Sequence, residues 1–277
     1  IMKGPAATTH YGTEAANGVI QIITKRGSVG SPTWDVTVRQ GITQFADPEG
    51  RLWVNYSRIL HPVTEEPIDT VSLHQVDRYE DMGKDIWTNG HLQTYSVGLG
   101  GGGSAYRYYV SGNLQNDRGI ERINKQRLQS MRANFGLFPT SKLDISTNIG
   151  YVWGRTDLPL EAGGGGTTWT TFWANAGNLD TEPPGYDFDG FYSAKPEDYY
   201  RQFQIWQDIQ RLTASVQMTH RPLGWLTHRL TAGTDQGYED GHEVAPIQLD
   251  LANIFGTTAT EGYHELFTRD LSLHPVN

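Results

Sequence analysis

The chain has 277 residues, enough for one or two domains, and contains no cysteine, which excludes disulfide scaffolds and thiolate metal sites. Its formal net charge is -9 and no basic stripe interrupts the acidic balance, which argues against nucleic acid as a partner. The 14 Tyr, 8 Trp and 32 Gly predict pleated sheet with many turns and argue against disorder.

The opening of the chain combines turn signals with one short apolar strand. Gly-Pro, Tyr-Gly and Asn-Gly pairs precede "VIQII", and Thr-Lys-Arg-Gly follows it. No apolar run approaches the length of a membrane-spanning helix. No charged leader, signal core or cleavage site is present, so we expect the chain to be a piece of a larger protein. The motif residues are Gly4, Pro5, Tyr11, Gly12, Asn17, Gly18, Thr24, Lys25 and Gly27.

From Trp34 onward, apolar and polar residues alternate with the period of two that predicts β-strands. Met131 and Phe135, for example, fall on one face of a strand, while Arg132 and Asn134 fall on the other. Each strand is therefore expected to have one apolar face and one polar face. The same pattern recurs in 106–115, 143–153, 211–218 and 226–232.

Alternation alone does not separate a soluble sandwich from a membrane barrel, but the connections do. Strands of roughly 9 to 13 residues fit a tilted crossing of an outer membrane. Short and long connections also alternate, which predicts an all-β, antiparallel, partial transmembrane β-barrel with short periplasmic turns and long extracellular loops. The short connections are 101–104, 139–142 and 221–224, and the long ones are 46–90, 157–205 and 236–262.

Aromatic residues near the strand ends predict two interfacial girdles. Tyr106, Phe138 and Trp225 lie beside tight turns. Trp153 and Trp206 lie beside long loops. The alternative reading is that these side chains cap a soluble core.

The opening segment resembles the end of the plug domain of SusC/RagA-type TonB-dependent outer-membrane transporters, with its motif elements in the same order. This resemblance implies that 1–30 are the C-terminal end of a plug domain and that 31–277 are the N-terminal portion of a barrel, with about eight strands. It also implies a place in the bacterial outer membrane among its lipids. A SusD-like lipoprotein is the expected partner, together with the TonB complex acting through segments outside this chain.

The implied function is gated import of an oligosaccharide or peptide, without catalysis and without a cofactor. No nucleophile–base pair, fixed pair of carboxylates or metal-ligand spacing stands out in the sequence, so we expect neither an enzyme nor a metal site. The alternative readings are a secreted carbohydrate-binding β-sandwich and a glycoside hydrolase.

The loop 167–206 is the richest in aromatic and acidic residues. Flat aromatic faces stack on sugars or peptide side chains, and carboxylates accept hydrogen bonds from hydroxyl groups. Most of these aromatics are expected to fold the loop upon itself, which leaves one or two for substrate. The candidate substrate-binding residues are Trp169, Trp173, Tyr186, Asp187, Asp189 and Tyr192.

Overall fold

The computed structural model describes Lys25, 27–161, 165–179 and 186–276. The strands are β1 (Gly30–Thr43), β2 (Asn55–Leu60), β3 (Pro67–Leu73), β4 (Gly90–Gly102), β5 (Tyr106–Arg118), β6 (Lys125–Thr140), β7 (Leu143–Leu158), β8 (Gln204–Leu223), β9 (Leu226–Ala245) and β10 (Tyr263–Leu273). Eight of them form one antiparallel sheet in the order β1-β4-β5-β6-β7-β8-β9-β10, and β2 pairs with β3 separately.

Short helices occupy the connections between sheet strands. They are α1 (Pro48–Arg51), α2 (Gln75–Asp81), α3 (Thr167–Phe172), α4 (Pro196–Gln202), α5 (Ala252–Phe255) and α6 (Thr257–Glu261), with 3-10 turns at Ala176–Leu179 and Leu249–Leu251. Within the described ranges, no helix has both the length and the apolar character needed to cross a membrane.

The sheet has a turn end and a loop end, as the sequence predicts. Because successive strands are antiparallel, the tightest connections meet at one end, and the three long ones meet at the other together with the short connection 119–124. The tight connections are 103–105, 141–142 and 224–225. The connections at the loop end are 44–89, 119–124, 159–203 and 246–262.

The prediction of a loop at 236–262 is wrong for the first half of that range. Residues 236–245 belong to β9, where Glu243 pairs with Ile205 of β8 and with Glu265 of β10. This segment is polar on both faces, so its composition resembles that of a loop. Ladder hydrogen bonds to two neighbouring strands nevertheless keep it in the sheet.

One face of the sheet is apolar and lies open, as the alternation predicts. Met131 pairs with Gly112 on one side and with Tyr151 on the other, so cross-strand neighbours continue the same face. Met131 is 63% exposed and Val36 is 71% exposed. We call this surface the apolar face and the opposite one the polar face. The exposed residues of the apolar face include Trp34, Val36, Val38, Val97, Val110, Met131, Phe135, Ile149, Val216 and Leu230.

The well-buried apolar side chains lie in the loops. Among the described residues, Ala245 is the one buried apolar residue within the eight-stranded sheet. The others lie in the connections, where most of them form three clusters. A β-sandwich would bury the apolar face under a second sheet. The other sheet in the described chain is the small β2–β3 hairpin, so the architecture is that of a partial barrel wall.

Two large aromatic side chains lie on the polar face instead of the apolar face. Phe138, expected in an aromatic girdle, lies on the polar face, where the guanidinium of Arg107 stands 4.9 Å from its ring centroid. Phe138 is four residues from Asn134 in the same strand, so alternation places both side chains on the polar face. In β10, Phe267 also faces the polar side, opposite Gly241, where the missing side chain leaves room for its ring.

Candidate substrate vestibule at the loop end

The long loops pack into one body at the loop end of the sheet. Leu52 and Val76 of the first loop share a buried cluster with Phe191 of the loop 159–203. Tyr186 of that same loop packs with Leu251 in a second cluster. We call the described parts of 44–89, 159–203 and 246–262 the loop layer. Burial of these apolar groups gives the loop layer a fixed shape.

Asp189 ties the first loop to the second. Its carboxylate pairs with the guanidinium of Arg78 at 2.7 Å and accepts a hydrogen bond of 3.0 Å from the Tyr79 hydroxyl. Its backbone carbonyl accepts a hydrogen bond of 2.8 Å from the Gln75 side chain. Burial and the neighbouring Asp189 raise the pKa of Tyr79 above its ordinary range, so this phenol stays a donor. Asp189 therefore holds helix α2 against the second loop.

The side chain of Tyr186 also makes its contacts within the loop layer. Its hydroxyl donates to Asp198 at 2.8 Å and accepts from the backbone amide of Lys195 at 2.9 Å. The ring packs edge-on against Phe188, with centroids 5.0 Å apart. Burial raises the pKa of the Tyr186 phenol above its ordinary range. This side chain joins α4 to the core of the loop layer.

A buried carboxyl group joins the short 119–124 connection to the loop layer. Glu121 is 6% exposed and accepts hydrogen bonds from the hydroxyls of Thr167 at 3.0 Å and Tyr200 at 3.1 Å. Burial, followed by the neighbouring carboxyl of Glu161, raises the pKa of Glu121 to about 8. The protonated form is favoured because burial penalises the charged carboxylate and because Glu161 adds to this effect. No local pattern in the sequence marks this site, since its members come from two connections, 119–124 and 159–203.

An open aromatic patch lies on the loop layer. Trp53 donates through its indole N–H to the carbonyl of Phe172 at 3.2 Å, and the two rings stand 4.4 Å apart. The ring of Trp173 lies 6.2 Å from Trp53 and 5.8 Å from Trp169. Trp53 is 54% exposed, Trp169 is 39% exposed and Trp173 is 43% exposed. We call these three residues the tryptophan patch.

Comparison with known proteins bears on what this arrangement is. No family model matches the sequence. The TonB-dependent receptor P3 of Formosa agariphila is 22% identical over 194 residues, which cover 70% of this chain and 19% of that receptor. The RagAB peptide importer in its closed-closed state contains a chain that matches with a TM-score of 0.64 at 15% identity, covering 94% of this chain and 33% of that one. Its open-open state matches with a TM-score of 0.61 at 16% identity, covering 89% and 32%.

At the level of fold, the resemblance to SusC/RagA-type TonB-dependent transporters is confirmed. This chain spans less than two thirds of the length of the relatives that it matches. Its sheet has the fold of part of such a barrel and is open, since β1 and β10 form its two edges and do not pair with each other.

Within this SusC/RagA-type fold, the described part of the predicted plug motif lies on the polar face. Lys25 forms an ion pair with Asp35 at 3.5 Å, and its ammonium stands 5.8 Å from the Tyr109 ring centroid. At Gly27, a β-carbon would overlap the Tyr108 carbonyl, so a residue larger than glycine cannot fit without movement. The motif residues Gly4, Pro5, Tyr11, Gly12, Asn17, Gly18 and Thr24 lie outside the described residues.

The loop layer separates the six predicted substrate-binding residues. Asp189 and Tyr186 are buried in the contacts described above, whereas Trp169, Trp173 and the 52% exposed Tyr192 reach the surface. Asp187 is exposed and accepts a hydrogen bond from the Asp189 amide at 2.7 Å. Trp53 is absent from the predicted set because it belongs to a different loop. In the described ranges, no group of three or more His, Asp and Glu is arranged to hold a metal ion.

Proposed function

We propose that this chain is part of a TonB-dependent transporter that imports an oligosaccharide or peptide across the bacterial outer membrane. Residues 1–30 end the plug domain, and 31–277 form the first part of the barrel wall with its loop layer. One observation carries the proposal: the eight-stranded sheet has an apolar face open to its surroundings and a polar face that receives Lys25. Hydrocarbon on one side and a plug on the other account for both faces.

The polar face supports the plug assignment. A cavity of about 290 Å³ lies on it near the turn end, with Gly27, Arg107 and Asn134 among its lining residues. Polar and charged side chains there suit contact with a plug or water, but they do not suit lipid. The plug contacts the wall through backbone groups such as the Lys25 carbonyl, which accepts from Asn134.

The tryptophan patch is the surface that we assign to substrate. Indole faces stack on the C–H surfaces of sugars and on peptide side chains, and their exposure leaves them accessible. Tyr192 is the further candidate at the surface, with Asp187 nearby in sequence as a hydrogen-bond acceptor. The structurally similar RagAB complex is a peptide importer, which supports a peptide as one of the two substrate classes.

The partners are proposed from the same resemblance. A SusD-like lipoprotein covers the extracellular mouth above the loop layer, and the TonB complex supplies energy through segments outside this chain. No step of the proposed function requires catalysis or a cofactor, and the relatives are described as a receptor and an importer rather than as enzymes.

The test places one charge on each face of β7 in the full-length protein. Ile149 lies on the apolar face and is 42% exposed, whereas Ser146 lines the polar-face cavity. A charged residue at mid-bilayer costs about 2 to 4 kcal/mol. Ile149→Arg should therefore reduce the heat-modifiable, outer-membrane form of the protein, while Ser146→Arg should leave it near the wild-type amount.

Equal assembly of the two variants would contradict the barrel. A soluble sandwich or hydrolase would instead appear in the soluble fraction of wild-type cells, without heat-modifiable migration. In that case a secreted carbohydrate-binding domain or a glycoside hydrolase would become the favoured hypothesis for the function.

A further inference from the structure

Four cations cluster on the side of the sheet that carries the apolar face, close to the loop end. Arg118 of β5 pairs directly with Lys125 of β6, and Arg127 of β6 pairs directly with Arg155 of β7. Like charges placed directly opposite each other across strands destabilise a sheet. Two adjacent pairs of this kind need nearby anions to offset the repulsion between the cations. We call these four residues the basic patch.

The pairing fixes the face on which the basic patch lies. Arg127 is four residues from Met131 in a strand of regular register, so both side chains project to the same side. A groove of about 400 Å³ is consistent with this placement, since its lining includes Arg127, Arg155, Trp153 and Tyr238, together with the carboxylates of Asp208 and Asp240. The basic patch is therefore the direct continuation of the apolar face toward the loop end.

The described chain neutralises the basic patch only in part. Arg155 forms a bidentate contact with Asp208, at 2.8 Å and 2.6 Å. In the part of the chain that the structure describes, none of the ion pairs includes Arg118, Lys125 or Arg127. Asp157 stands opposite Lys125 in the register, without an ion pair between them. Three cations are thus available to an external anion.

The ligand must satisfy both the charge and the apolar surface beside it. Strands lie about 4.8 Å apart and alternate residues about 7 Å apart, so the four cations span the size of one phosphorylated sugar headgroup. Guanidinium groups bind phosphate through paired hydrogen bonds. Directly below the basic patch, Met131, Tyr151 and Trp153 offer an apolar surface suited to acyl chains.

We propose that the basic patch binds the phosphorylated headgroup of an outer-leaflet glycolipid whose acyl chains lie along the apolar face. This inference rests on the proposed function, because it requires the apolar face to contact the outer membrane. Arg127 is the central ligand, together with Lys125 and Arg118, and Trp153 packs at the boundary between headgroup and acyl chains. The glycolipid thereby relieves the repulsion within the two pairs of like charges.

The experiment uses the full-length transporter, purified in detergent and stripped of bound lipid. The probe is bisphosphorylated lipid A, and native mass spectrometry measures the fraction of protein that retains it. Lys125→Gln combined with Arg127→Gln should weaken retention about tenfold, the effect of losing charge-assisted hydrogen bonds. Arg132→Gln is the matched control, because it removes a cation from the opposite face of the same strand.

Two further arms use wild-type protein and need no variant. Lipid A without its phosphates should be retained about as weakly as lipid A on the double variant, and inorganic phosphate at the same concentration should not displace the intact glycolipid. Equal retention by the double variant or of dephosphorylated lipid overturns the proposal, and displacement by phosphate assigns the site to a free anion instead. The heat-modifiable migration of the wild-type protein reports separately on the barrel, so its loss would refute the proposed function rather than this ligand.

Discussion

The side-chain amide of Asn134 donates a hydrogen bond of 2.6 Å to the backbone carbonyl of Lys25, 109 residues earlier in the chain. Asn134 is 4% exposed on the polar face of β6. The contact therefore joins the end of the opening segment to the middle of the sheet. Because the carbonyl is a backbone group, the contact depends on the path of the chain and not on the identity of residue 25.

Asn134→Ala should loosen this junction. Loss of one hydrogen bond to a buried carbonyl costs about 1 to 3 kcal/mol. Amide hydrogen exchange around 27–30 should rise, and trypsin should cleave the full-length protein faster after Lys25 and Arg26. Ser130→Ala, on the same face of the same strand, is the control. Unchanged protection in Asn134→Ala would show that other contacts hold the segment.

Asp189→Asn should detach helix α2 from the second loop. The substitution removes the charge that Arg78 faces at 2.7 Å and weakens the acceptor for Tyr79. We expect a local loss of about 1 to 3 kcal/mol, seen as faster hydrogen exchange across Gln75–Asp81. Asp81→Asn changes an exposed carboxylate at the end of the same helix and should have little effect. Equal exchange in the two variants would contradict the role of Asp189.

Trp173→Ala should weaken substrate uptake without unfolding the loop layer. The indole is 43% exposed, so its removal leaves the buried clusters in place. Loss of an aromatic stacking contact of about 0.5 to 1.5 kcal/mol corresponds to binding weaker by roughly twofold to tenfold. Trp225→Ala, an 81% exposed indole at the turn end, is the control. Growth on the transported substrate and direct binding measure the effect. Equal behaviour of the two variants would show that the tryptophan patch does not bind substrate.

Glu121 should make the loop layer less stable as the pH rises. Its pKa is raised from 4.5 to about 8, so the folded protein retains a proton that the unfolded chain releases. The stabilisation is full below the unfolded pKa and is lost as the pH rises through the folded value. Hydrogen exchange of α3, corrected for the intrinsic rate, should therefore increase between about pH 5 and pH 9. Glu121→Gln should flatten this dependence, whereas Glu49→Gln, an exposed loop carboxylate, should not; a flat wild-type profile would refute the prediction.

The predictability of the fold follows from the period of two. Met131 and Asn134 differ in polarity, and their positions in an alternating strand already place them on opposite faces. The tight connections are predictable to within a few residues for the same reason. The end of β9 is not predictable, because polar residues in 236–245 stay in the sheet only through pairing with distant strands.

The candidate site is predictable only in part. Aromatic and acidic composition marks the loop 167–206, and Trp169 and Trp173 do lie in an open cluster. From composition alone, Tyr186 and Asp189 are equally good candidates for substrate binding, but packing of the loop layer buries both of them. Burial depends on neighbours from other loops, and no local pattern reports it.

Residue order alone specifies most of the sheet strands, their two faces and the positions of the tight turns, because side-chain alternation is a local property of the backbone. Three-dimensional packing was needed to establish which loop residues are buried, that Trp53 joins Trp173, and that Arg127 stands opposite Arg155. Those relationships depend on strand register and on contacts between segments far apart in the chain, whose geometry is set by packing of the whole sheet and its loops.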